Sequence, residues 1–192
     1  DEYSVTLNST GASTFSSTVE TNEGIRSNNG AGTITFAGNV TIAEGGTAST
    51  LLNARTDLDG MTLTTAGAFT FGNDAAADQV NLSSGAVTIT PTGTLTFTSL
   101  LDGGQNLTIS GTGASVFTGA VGSGTEVGTS TNGEYSVTLN STGASTFSST
   151  LRTNEGIRSN NGAGTITFAG NVTIDEGGTA STLLNARTDL DG

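Results

Sequence analysis

Cysteine, histidine, lysine and tryptophan are missing from this 192-residue chain, and proline and methionine occur once each. Without cysteine there are no disulfides and no thiolate chemistry; this absence does not identify a compartment. Without histidine, lysine and cysteine, the commonest general bases and nucleophiles are gone, so catalysis is poorly supplied. A single proline leaves long strand ladders uninterrupted. Positive charge is scarce: five arginines stand against 17 acidic residues, for a net charge of −12. Nucleic-acid binding requires a cationic face, and attachment to anionic lipid is disfavoured for the same reason. No apolar run approaches the ~18 residues of a membrane helix. The acidity itself reads as solubility and repulsion between neighbouring molecules, with weak, distributed binding of divalent cations as the alternative.

What is present is a duplication. Residues 1–60 return as residues 133–192, an offset of 132. Only four positions differ: Asp1/Gly133, Val19/Leu151, Glu20/Arg152 and Ala43/Asp175. Residues 1–132 therefore read as one full long repeat, and residues 133–192 as the opening of the next, in one continuous array. The expected setting is a longer tandem array of which this chain is a window.

Inside the long repeat runs a shorter pattern. Val5-Thr6-Leu7, Ile34-Thr35-Phe36, Val40-Thr41-Ile42, Val87-Thr88-Ile89, Leu95-Thr96-Phe97 and Leu107-Thr108-Ile109 each place apolar residues two apart around a polar one. Period two puts one side of a strand inward and the other outward, and Thr and β-branched residues suit the pleat. The expected core is Val5, Leu7, Phe15, Val19, Ile34, Phe36, Val40, Ile42, Leu63, Phe71, Val87, Ile89, Leu95, Phe97, Leu107, Ile109, Phe117, Val137, Leu139 and Phe147. Thr47–Leu58 breaks the pattern and reads as a loop excursion or one short helix.

The unit recurs roughly every 20–30 residues, about five times per long repeat. Even spacing of short strands fits a sandwich, a barrel or a solenoid. A near-identical long repeat favours the last, because a solenoid extends without closing. The expectation is therefore all-β: a parallel β-helix of about 20–30 residues per coil.

The run Leu107 to Val121 (LTISGTGASVFTGAV) resembles repeats in giant surface proteins of Gram-negative bacteria, the filamentous-haemagglutinin-like and related β-strand-repeat adhesins. The resemblance implies a right-handed β-helix, export to the cell surface or matrix, and adhesion or scaffolding instead of catalysis. The partners so implied are the chain itself, through adjacent repeats or head-to-tail subunits, and other cell surfaces or glycans.

Four groups of residues are candidate sites, and each also has a purely structural explanation. Arg55, Asp57 and Asp59, repeated as Arg187, Asp189 and Asp191, could supply paired carboxylates to a carbohydrate-active β-helix enzyme, or simply form a charged turn ending in Asp59-Gly60. The same Asp57, Asp59, Asp189 and Asp191 are weak calcium candidates, since the twelve-residue loop and nonapeptide patterns are missing. Thr-x-Thr pairs at Thr33/Thr35, Thr62/Thr64, Thr88/Thr90 and Thr94/Thr96/Thr98 could bind ice or glycan if they stack on a flat face, although outward Thr is what alternation produces anyway. Asn8, Asn39, Asn81, Asn106, Asn140 and Asn171 match the glycosylation rule, as several would by chance in a chain of this composition. The sequence reading is a non-catalytic extracellular fibre without an obligate cofactor.

Overall fold

The computed structural model describes residues 3–43, 50–73, 77–130, 133–175 and 181–191. Among them the chain is a β-solenoid: every strand pairing is parallel, and successive strands visit three faces in rotation, with one turn on the second face held by the single bridged residue Val121. The first face stacks Val5–Leu7, Ile25–Ser27, Thr50–Leu52, Phe69–Phe71, Leu95–Phe97, Ser115–Phe117, Ser145–Phe147, Ile166–Phe168 and Thr188–Leu190. The second stacks Ser13–Phe15, Ile34–Phe36, Thr56–Asp59, Val80–Ser83 and Leu101–Asp102, then continues through Val121 to Leu151–Thr153 and Val172–Ile174. The third stacks Val19–Thr21, Val40–Ile42, Thr62–Thr65, Val87–Pro91, Leu107–Ile109, Val137–Leu139, Ile157–Ser159 and Leu183–Leu184. Residues in register on the first face lie between 19 apart (Thr50 beside Phe69) and 30 apart (Ser115 beside Ser145). The variation in coil length is absorbed at corners, where the chain leaves one sheet for the next.

The three inward rows close on one apolar column. Most of the expected core is fully buried, while Val5, Leu7, Phe15 and Val19, on the first coil, are partly buried against it. Thr47–Leu58 differs from the expected loop or helix. Thr50–Leu52 and Thr56–Asp59 are strands, with Thr50, Leu52, Thr56 and Leu58 inward; Thr47 and Ala48 lie outside the described residues. The alternation was hidden because two inward positions are threonines. Their hydroxyls are satisfied locally: Thr50 Oγ1 accepts from the Ile25 amide at 2.9 Å, and Thr56 Oγ1 donates to the Ala54 carbonyl at 3.2 Å. Burial of a hydroxyl is tolerated when it finds such a partner.

Five phenylalanines form a ladder inside the first face. Phe71, Phe97, Phe117, Phe147 and Phe168 stack with centroid separations of 4.9, 4.9, 4.4 and 5.4 Å and interplanar angles of 18° or less. Each ring repeats at the strand spacing, so parallel stacking follows from in-register pairing.

Glycine fixes how closely coils approach at the corner before the first face. A Cβ on Gly113 would lie 1.9 Å from the Gly93 carbonyl oxygen, and one on Gly143 would lie 2.4 Å from Gly113 backbone. We expect Gly113→Ala to lower stability by about 1–3 kcal/mol, as forced overpacking does, in a urea unfolding curve. Gly104, with nothing within 4 Å of an added Cβ, is the control. Gly104→Ala should change stability by less than about 0.5 kcal/mol. Equal effects at the two sites would mean the coils are not held this closely.

Candidate functional surface

The outward side chains of each strand form rows along the solenoid, and these rows are the surface available to a partner. On the third face, Thr62 and Thr64 sit in register with Thr88 and Thr90. Thr108 and Thr138 continue one row, which then reaches Arg158. Thr41 lies beside Thr64 on the other side, and Thr90 Oγ1 is 3.3 Å from Ser110 Oγ. A half-buried hydroxyl grid thus occupies the middle of this face. The other Thr pairs do not extend it: Thr35 is on the second face and Thr96 on the first.

The acidic candidates lie elsewhere. Asp57 and Asp59 face outward on the second face, in register with Asn81 and Ser83. Arg55 Nε donates to Asp57 Oδ1 at 3.2 Å, and Ser83 Oγ donates to Asp59 Oδ1. Asp189 repeats the contact with Arg187 Nε, also at 3.2 Å, but on the first face. Asp191 follows that last strand, and its amide donates to the Phe168 carbonyl at 3.0 Å. Among the described residues no three of His, Cys, Asp and Glu converge.

The six asparagines divide by exposure. Asn8, Asn39 and Asn171 are exposed, whereas Asn81, Asn106 and Asn140 are half-buried between coils. Two of the exposed ones are used in side-chain hydrogen bonds. Asn8 Oδ1 accepts from Asn28 Nδ2 at 2.6 Å, and Asn39 Oδ1 accepts from the Thr62 amide at 2.9 Å. Asn106 donates to Glu134 Oε2 at 2.7 Å and accepts from the Thr129 amide at 3.0 Å. Asn8, Asn39 and Asn106 thus tie one coil to the next.

Sequence reasoning missed a cluster at the junction between the two copies. Three of the four differing positions lie there. Arg152 Nη2 donates to Asp175 Oδ2 at 2.9 Å and also bonds to Glu126 Oε1. In the first copy these positions are Glu20 and Ala43. The two charge changes are therefore partners: the arginine gains an acid on the coil above and meets Glu126 from the linking segment below. Leu151, in place of Val19, is fully buried beside Val121. In the first copy the same place is a depression of about 660 Å³ lined by Ser4, Glu20, Thr21, Asn22, Thr41 and Ala43. In the second copy Val127 fills that position: its amide donates to the Arg152 carbonyl at 3.3 Å, and its carbonyl accepts from the Asn154 amide at 3.0 Å.

The Arg152 hydrogen bond holds the Asp175 carboxyl below the usual aspartate range. A carboxyl depressed in the folded state stabilises the fold above its unfolded pKa of ~3.9, and that contribution is lost as pH falls through the folded value. Carboxyl-carbon NMR titration should therefore place Asp175 below ~3.9, and Arg152→Ala should move it upward. An unmoved Asp175 would show that the pair does not form in solution.

No family model, curated protein or solved structure matches the chain. What the geometry defines is the class: a parallel β-solenoid built from tandem repeats.

Proposed function

We propose that the chain is part of a non-catalytic fibre, exported to a bacterial cell surface, in which tandem solenoid repeats supply reach and an adhesive outer surface. The observation that carries this reading is the continuity of the junction. Phe117 of the first long repeat stacks on Phe147 of the second copy at 4.4 Å and 2°. Among the described residues a near-exact copy thus adds to the rod with no new fold and no break in its core, which is how length is gained in a one-dimensional array. The resemblance of residues 107–121 to bacterial surface repeats supports the setting. The carboxylates weighed for catalysis lie on an outward row and are held by Arg55 and Ser83, which favours a structural role for them.

The test is electron microscopy of the chain lengthened by further copies of residues 61–192. Rods should grow by about 27 Å per copy, the height of seventeen strand steps at the strand spacing with three steps per coil. Compact particles, or hydrolysis of a polysaccharide by the purified array, would overturn the reading. Adhesion is tested separately, by retention of the array on intact cells.

A further inference from the structure

Identical sequence does not occupy identical faces. Val5–Leu7 is on the first face, and its copy Val137–Leu139 is on the third. Ser13–Phe15 is on the second face, and its copy Ser145–Phe147 is on the first. Val19–Thr21 is on the third, and its copy Leu151–Thr153 is on the second. The same one-face shift holds for Ile34–Phe36 against Ile166–Phe168 and for Val40–Ile42 against Val172–Ile174. The cause is the number of strand positions in one long repeat. Between Val5–Leu7 and Val137–Leu139 lie fifteen strands and one further position on the second face, held by Val121 alone, which bridges Leu101 below and Leu151 above. The copy is thus seventeen positions on, and seventeen is not a multiple of three. The 132-residue repeat is five and two-thirds coils.

We infer that a tandem array of this repeat is a threefold screw, in which each surface feature reappears one face round at every repeat and returns to its starting face after three. The inference rests on the fibre reading above and adds its surface geometry. Three repeats make seventeen whole coils, or about 82 Å at the strand spacing, with a step of about 27 Å. The Thr62/Thr64/Thr88/Thr90 grid on the third face recurs on the second, then on the first. No side of the rod carries an unbroken plane of it. An extended flat ligand such as an ice surface meets only one patch in three. A discrete partner that docks on a few coils is met from every side, at many points along the rod. The surface is therefore suited to cross-linking partners around a fibre.

The interior supports the same phase. Phe15 and Phe36 stack on the second face at 5.2 Å, whereas their copies Phe147 and Phe168 extend the first-face ladder begun by Phe71, Phe97 and Phe117. The shift therefore assembles a five-ring column from rings the sequence places in two separate groups. An array of whole coils would set Phe147 and Phe168 on the second face, away from Phe117.

Two measurements test the inference. The native chain has no cysteine, so introduced thiols are unique. Val116 and Thr146 are outward neighbours in register on the first face. Val116→Cys with Thr146→Cys should cross-link under mild oxidation, because paired strands bring Cα atoms within disulfide range. A folded double variant that stays reduced would overturn the phase. Secondly, Ala86 is an exposed corner residue outside the duplicated segment. With Ala86→Cys in each repeat of the lengthened chain, biotin-maleimide and monovalent streptavidin should decorate rods at three azimuths, 120° apart. Decoration along a single side would overturn the screw while leaving the fibre intact. If the lengthened chain forms no rods, the fibre reading fails, and the cross-link in the native-length chain still decides the phase.

Discussion

Replacing Phe117 by alanine is expected to lower the stability of the chain by about 3–5 kcal/mol, the usual effect of truncating a fully buried phenylalanine. The ring is 0% exposed and lies between Phe97 at 4.9 Å and Phe147 at 4.4 Å, with interplanar angles of 4° and 2°. No neighbour can relax into the hole easily, because each ring is held by its own strand in register with the next. Position matters as much as size. In a stacked array each coil contacts only the coils beside it, so weakening one interior interface lets the two sides unfold separately. Phe117→Ala should therefore broaden the urea transition as well as shift it, with hydrogen exchange faster around both Phe97 and Phe147. Phe117→Leu keeps most of the volume and should cost about 1.5 kcal/mol or less. A shift below about 1 kcal/mol for the alanine variant would mean the ladder is not a stabilising feature.

The fold class was legible because alternation survives wherever both inward positions are apolar, as in Ile34-Thr35-Phe36. It was obscured wherever a small polar residue faces inward. Ile25-Arg26-Ser27 and Ser115-Val116-Phe117 each carry one apolar inward residue and one buried serine. The Ser115 hydroxyl is satisfied by Ser145 of the next coil at 2.9 Å, a contact between residues thirty apart. Coil phase was less legible still. One strand position per repeat consists of Val121 alone, and a single bridged residue leaves no periodic trace. Counting runs of alternation therefore leads to about five coils, and the remaining two-thirds of a coil is visible only in the pairing. The charge pair at the junction was hidden for a related reason. Glu20/Arg152 and Ala43/Asp175 are separate differences along the chain, and only the stacking of neighbouring coils joins them.

The junction also says how far the second copy depends on what is stacked against it. Val40 and Leu58 are each 1% exposed, covered in register by Leu63 and Leu82 of the following coil. Their copies Val172 and Leu190 are 39% and 77% exposed. The side chains are identical, so the difference is the neighbouring coil. In the first copy that neighbour is supplied by the residues that follow Gly60. Appending residues 61–132 after Gly192 should therefore place copies of Leu63 and Leu82 over Val172 and Leu190. Covering these two side chains contributes about 2–4 kcal/mol, before any gain from the added coils' own ladders. The expected result is a higher urea midpoint for the part already present. Slowed exchange at the Leu190 amide, measured in the intact longer chain, should accompany it. A shuffled segment of the same composition should leave both unchanged, since only in-register strands can cover the row. If the native continuation and its shuffled form behaved alike, residues beyond Gly60 would not be the coil that the second copy's exposed row is shaped to meet.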